Sequence, residues 1–331
     1  MSHFTVLIDV PHESHLDFQV ADVLEPFYEQ TEDKDYLEFI DKTAEIQDDY
    51  LNKTADCIQT PDGRFLPQYH AALRGLVIKD GTVVSNHAGP LHHAKKTRKS
   101  RKYKAHLNYP LRKIYKSIES YAEEYCYYTY SDSEQAYGYY TNPNAFWDWY
   151  QIGGRWPFEL LVKADCSTYD PGDRSWTTEK SNMRPAPEGY IWVPAAAKGD
   201  VEWELMRELG IRNKSEKFKQ LKECFDTGVL PPDSPLTQIA EDGIHSWGKL
   251  IYRKDETLEG FLERNNLGDS CKYPVNFYGC IRDGEYLSVG DMGWWGISSN
   301  EKEEQVWRFI LQQYIESVPD EHILVVVDCH I

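Results

Sequence analysis

Asp328 and His330 stand at alternate positions at the end of an apolar, β-branched run, Ile323-Leu-Val-Val-Val327. Alternation along a strand puts both side chains on one face, where they can act as an acid–base catalytic pair or ligate a divalent metal. A metal site needs three or four donors, so His3, Asp291 and Asp148 are the further ligands to seek. The opposing reading makes Asp328 a cap for backbone amides and His330 a structural hydrogen-bonding group. Cys329 falls on the opposite face, which argues against a Cys–His nucleophile pair.

A second group lies in Asn142-Pro-Asn-Ala-Phe-Trp-Asp-Trp-Tyr-Gln-Ile-Gly-Gly-Arg-Trp156. Gly153 and Gly154 permit positive φ and close backbone approach. Arg155 then offers a permanently charged planar fork, and the amides before it can approach a phosphate or carboxylate. Trp147, Trp149 and Trp156 read as a packed aromatic corner that holds Asp148 and Arg155, with Arg155 stacked between Trp147 and Trp156. The ligand-binding set is therefore Arg155, Gly153, Gly154, Asp148, Trp147 and Trp156. No phosphate-binding Gly-x-x-x-x-Gly-Lys-Ser/Thr loop, Gly-x-Ser-x-Gly elbow, His-Glu-x-x-His pair or dinucleotide fingerprint occurs in the chain.

These residues need elements to bring them together. Phe4–Val10 reads as a short buried strand ended by Pro11, and Ile323–Val327 as another, so both ends of the chain belong in one sheet. Leu16–Tyr28, Tyr36–Asn52, Tyr109–Tyr130, Lys198–Met206 (Asp200 as N-cap) and Asn300–Ile315 read as helices, the last with Asn300 and Glu303 as a capping box. Phe158–Ala164 reads as a strand. Gly75–Gly81 reads as a strand entering a turn, and Pro274–Leu287 as a hairpin around Asp283-Gly284. The pattern predicts an α+β fold: a mixed or antiparallel sheet holding the N- and C-terminal strands, flanked by helices. A single domain over 1–331 is expected, with residues 91–108 as a basic insertion and 165–189 as an exposed, turn-rich region.

Of the 331 residues, 41% are hydrophobic and 14% aromatic, and the mean hydropathy is −0.63, which describes a folded chain under a polar surface. The net charge of −18 disfavours nonspecific association with a nucleic-acid backbone. It serves solubility, or, as a sharper alternative, mimicry of DNA. The first sixty residues hold fifteen acids against three bases. The sign then reverses: Lys95–Lys104 contains seven Lys or Arg and no acid. This run is either a solvated segment that contacts the chain's own acids or an arm for phosphates, and it is the one place where nucleic acid could bind. Eight tyrosines between Tyr121 and Tyr140 read as half-buried packing. No apolar run approaches the roughly 18 residues of a membrane span, and the N-terminus lacks a signal-peptide pattern. Seven scattered cysteines without Cys-x-x-Cys fit a reducing cytoplasm.

Three segments together carry a resemblance: Met1-Ser-His-Phe-Thr-Val-Leu7, the Asn142–Trp156 motif, and Asp291-Met-Gly-Trp-Trp-Gly296 with Asp328-Cys-His-Ile331. The chain resembles a family of uncharacterised bacteriophage and prophage proteins. The resemblance implies an accessory protein working in the bacterial host cytoplasm and brings no chemistry with it. The basic run is unlike the family pattern. Two functional classes follow. The first is a binding protein that acts on a host macromolecule or sequesters a nucleotide-like ligand, a counter-defence role that needs no cofactor. The second is a metal-assisted hydrolase or transferase on a phosphate-bearing substrate, using Asp328, His330 and Arg155. A shared site requires the central motif and the C-terminus to line one cleft.

Overall fold

The structure, a computed structural model, describes residues 2–11, 15–86, 91–166, 185–230, 236–293 and 297–331. The chain divides into two compact units, one of residues 1–31 and 144–331, the other of residues 32–143. Sequence composition signals no such division, because the second unit is inserted between strands of the first without a low-complexity linker.

The first unit is built on a mixed six-stranded sheet. The C-terminal strand, Ile323–His330, runs antiparallel to the N-terminal strand, His3–Val10, over its whole length. Beyond the N-terminal strand lie Gly279–Arg282, paired parallel to it, and Glu285–Ser288. Asp283 and Gly284 join these two strands at φ 53° and 79°, the positive values that a tight Asp-Gly hairpin turn needs. The outer edge of the C-terminal strand is shared by two short strands, Trp149–Ile152 at one end and Ala195–Ala197 at the other. They meet over Val326, whose carbonyl accepts from Gly153 N and whose amide donates to Pro194 O. A Cβ on Gly153 would lie 2.9 Å from Pro194, so the junction excludes a side chain.

The two central strands are buried on both faces, which is why they read as apolar runs with little alternation. On one face Leu7, Leu324 and Val326 pack with Leu160, Val193 and Tyr273, and with Trp307, Leu311 and Tyr314 of the helix Glu304–Ser317. On the other, Phe4, Val6, Ile8, Val325, Val327 and Cys329 meet Leu16, Val20 and Leu24 of the helix Leu16–Leu24, together with Phe27 and Trp147. The fold is α+β, with both chain ends in one mixed sheet. Among the described residues no helix is long and apolar enough to cross a membrane.

Several helices differ from expectation. Residues 36–52 split into the strand Glu38–Asp41 and the helix Thr43–Asn52, with Asp41 Oδ1 accepting from Thr43 N at the break. Residues 109–130 form two short helices, Leu111–Ile114 and Ile118–Glu124, the second opened by a Ser117–Ser120 capping box. Asp200 lies in a 3-10 turn, and the helix after it begins at Trp203 with Glu202 at the N-cap position. Asn300 adopts φ 51° and donates to Asp291 Oδ2, so it caps nothing, and the last helix begins at Glu304.

In the second unit the basic run is woven into the fold. Lys95 bridges to Ser85, Thr97 and Ser100 exchange side-chain and backbone hydrogen bonds, and Lys104 opens the strand Lys104–Pro110. Its seven cations are all exposed and form no ion pair among the described residues, so the expected contact with the chain's own acids is not made. Most of the expected turn-rich region, residues 167–184, lies outside the described residues.

Candidate active site

Pairing register assembles the site. His3, His330 and Trp149 lie side by side across three strands, and Thr5, Asp328 and Gln151 form the next row on the same face. The apolar core beneath that face begins one row further, at Leu7 and Val326. The polar rows thus sit at its rim.

Two carboxylate–imidazole pairs result. His3 Nδ1 lies 2.8 Å from Asp328 Oδ1, and His330 Nδ1 lies 2.6 Å from Asp148 Oδ1. The rings of His3 and His330 meet edge to face with centroids 4.8 Å apart, and Trp149 stands edge-on to His3 at 6.0 Å. Asp328 and His330 share a face as the alternation predicts, yet they are not each other's partners. Asp328 instead reaches diagonally to His3 on the next strand, a separation that long side chains span.

Asp328 is fully buried, a costly position for a carboxylate unless both oxygens are satisfied. Its second oxygen, Oδ2, accepts from Arg155 N at 2.9 Å. The Gly-Gly turn is what permits this. Gly154 has φ 45°, and a Cβ there would fall 2.4 Å from the Asp328 carboxylate. Gly153 N and Gly154 N are themselves used by Val326 O and Ile152 O. The expected backbone cradle for an external phosphate therefore does not exist; the anion held by this turn is Asp328. Arg155 retains an exposed side chain at the edge of the site.

The aromatic corner is not formed. Trp147 packs with Phe27 and Tyr286 in the core on the opposite sheet face, whereas Trp156 packs with the core beneath the site. The cause is a break before the strand. Trp147 bridges to Tyr28, and regular pairing with the C-terminal strand starts only at Trp149. No cation–π contact of Arg155 with Trp147 or Trp156 occurs among the described residues. Asp291 is also outside the cluster, its carboxylate taken by Asn300. No group of three His, Cys, Asp or Glu among the described residues is arranged to hold a metal ion. Cys329 is buried on the far face, and burial, then the neighbouring Asp328 charge, push its thiol well above the ordinary range.

Register adds residues that sequence reading missed. Gln151 lies beside Asp328, and its Oε1 is buried without a hydrogen-bond partner among the described residues. Thr5 and Trp156 line a cavity of about 410 Å³ that also takes in Lys214, Arg264 and Asn276. Arg264 is committed to Glu256, while Lys214 has no ion pair among the described residues. Burial, then Arg264, then Lys217 push the Lys214 ammonium below its ordinary range. The one signal in the sequence was the strand period itself, which places Thr5 and Gln151 two residues from His3 and Trp149.

No family model matches the chain, and no curated protein or solved structure is detectably similar to it.

Proposed function

We propose that this chain is a hydrolase or transferase in which His3 and His330 serve as general base and general acid on a phosphate-bearing substrate. The observation that carries the reading is the pair of imidazoles, each anchored through Nδ1 by its own carboxylate, with rings in edge-to-face contact. An Nδ1–H bond to a carboxylate fixes the ring and its tautomer and leaves Nε2 for proton transfer. In one turnover, one Nε2 accepts the proton of an attacking water or hydroxyl as its oxygen bonds to phosphorus. The other protonates the oxygen that departs, and the protons return once product leaves. Arg155 and, through the adjoining cavity, Lys214 supply the positive charge for the substrate.

The setting implied by the three motifs, a phage-encoded protein in the bacterial cytoplasm, makes a host nucleotide-like molecule the natural substrate to try. The test is turnover of a panel of nucleotides and phosphodiesters by the wild type, His3→Ala and His330→Ala, each with and without EDTA. Each substitution should lower kcat by roughly 10²–10⁴-fold, the usual contribution of one general acid or base. Loss of activity with EDTA would move the imidazoles to a metal-ligating role. A nucleotide bound by all three proteins and altered by none would replace the enzyme reading with the sequestering one.

A further inference from the structure

The second unit presents a charge distribution that its own fold does not use. Residues 32–143 contain 16 acids and 16 bases, so the unit is neutral, yet seven of its bases are collected in Lys95–Lys104. These seven are exposed and form no ion pair among the described residues, although acids elsewhere in the unit pair with Lys42, Lys53 and Arg64. The run is also held in shape. Ser100 is buried, Ser85 Oγ lies 2.7 Å from Thr97 Oγ1, and the 3-10 turn Ser100–Lys102 leads into the strand that starts at Lys104. Like charges fixed beside one another repel, and an ordered display of them is relieved by a polyanion.

The strand that follows adds rings. Lys104, Gln59 and Phe65 lie in one cross-strand row of the sheet formed by Thr54–Gln59, Phe65–Pro67 and Lys104–Pro110. His106 falls on the same face two residues on, whereas Ile58, Leu66, Tyr103 and Ala105 pack a core on the other. Phe65 stacks on Tyr109 with centroids 4.8 Å apart and planes 10° from parallel, and His106 closes the cluster at 5.2 Å from each. Lys113 reaches over the Tyr109 ring. Cations in series followed by half-buried rings on a sheet face match a strand of nucleic acid whose phosphates meet the cations and whose unpaired bases stack on the rings. Duplex would keep its bases from those rings, and a membrane surface would use the cations alone.

We infer that the second unit binds single-stranded nucleic acid through Lys95–Lys104 and the Phe65–His106–Tyr109 ring cluster. This surface is independent of the acid–base reading, since it shares no residue with that site.

The test uses the full chain carrying His3→Ala and His330→Ala, which prevents turnover of the probe. Binding of a fluorescein-labelled oligo(dT) of about 20 nucleotides is followed by anisotropy between about 50 and 200 mM salt. Each phosphate contact should contribute about −0.7 to the slope of log K against log salt. Replacing Lys96, Arg98, Lys99 and Arg101 together by Gln should reduce the magnitude of the slope by up to about 3 and affinity at low salt by tenfold or more. Phe65→Leu, which removes the ring but keeps an apolar side chain, should weaken binding about fivefold, or about 1 kcal/mol, without changing the slope. No binding at low salt, equal binding by the four-Gln variant, or tighter binding to a duplex of the same length would each overturn the inference. So would sedimentation with phosphatidylserine vesicles under conditions where the oligonucleotide is not bound.

Discussion

The two units handle charge in opposite ways. The first carries the entire net charge of −18, with 38 acids and 20 bases, and the second carries none. In the first, buried and half-buried acids are paired individually: Asp328 with His3 and Arg155 N, Asp9 with His322 and Tyr314, Glu256 with Arg264. In the second, seven neighbouring cations are left exposed and form no ion pair among the described residues. A buried charge must be matched by partners of fixed geometry, which builds a site. An exposed one costs little to leave unmatched, which builds a surface. The two candidate functions follow that division: chemistry where charges are buried in pairs, and polyanion capture where they are exposed in series.

The division between the units is tested most directly at Asp328. Asp328→Asn keeps the shape and can still accept from Arg155 N, but its amide would then face His3 Nδ1 as a donor and impose the wrong tautomer. We expect kcat to fall on the order of 10³-fold, with oligonucleotide binding by the second unit unchanged. Full activity would remove the His3 pair from the chemistry. Gly154→Ala should be the largest stability loss, on the order of 4 kcal/mol, because the new methyl meets the buried carboxylate at 2.4 Å and the backbone stays at φ 45°. Hydrogen exchange should quicken in Trp149–Ile152 and Ile323–His330 and hold steady in Thr54–Gln59. Loosening of both would mean that the units do not respond separately.

How much of this was legible in the sequence depended on range. The two terminal strands, their shared sheet and the Asp283-Gly284 hairpin follow from period and turn chemistry, which are local. The convergence of the central motif with the C-terminus was also expected, as the condition for a shared site, although no strand was read over Trp149–Ile152. Their pairing was not, since Asp328 prefers a diagonal neighbour 325 positions away over His330 beside it. Gly153 and Gly154 show in sequence as positions for positive φ and close backbone approach, which they are, but the anion they admit is Asp328 and not an outside phosphate, which no local pattern reveals. Trp147 and Trp149 look equivalent in sequence. They separate only because regular pairing begins at Trp149. The capping box at Asn300 satisfied the local rule and lost to a tertiary hydrogen bond with Asp291.

Glu256 tests the pairing principle away from the site. Burial pushes its carboxyl up, but the two-pronged hydrogen bond and charge of Arg264 outweigh this, and its folded value lies below the ordinary 4.5. A carboxylate whose folded value is depressed adds stability in full above its unfolded value. That contribution drains away as pH falls through the folded one. Glu256→Gln should therefore cost about 3 kcal/mol at neutral pH, by leaving Arg264 half-buried without its partner. It should also flatten the loss of stability between neutral and acid pH, as read from urea midpoints. A variant that lost stability equally at every pH would assign the effect to packing.

The smallest expected effect falls on the second unit, and it has the opposite sign. Lys99 is exposed and lies in a run with six other cations, with no acid paired to it among the described residues. Removing its charge takes away repulsion and breaks no ion pair, so Lys99→Gln should leave stability within about 0.5 kcal/mol of wild type, on the stabilising side. The gain should shrink as salt rises, because screening already suppresses the repulsion between exposed neighbours. The measurement is the urea midpoint at low and at high salt. A clear destabilisation would mean that the Lys99 charge is satisfied within the fold, and the contrast between paired and unpaired charge would then fail at the residue where it is sharpest.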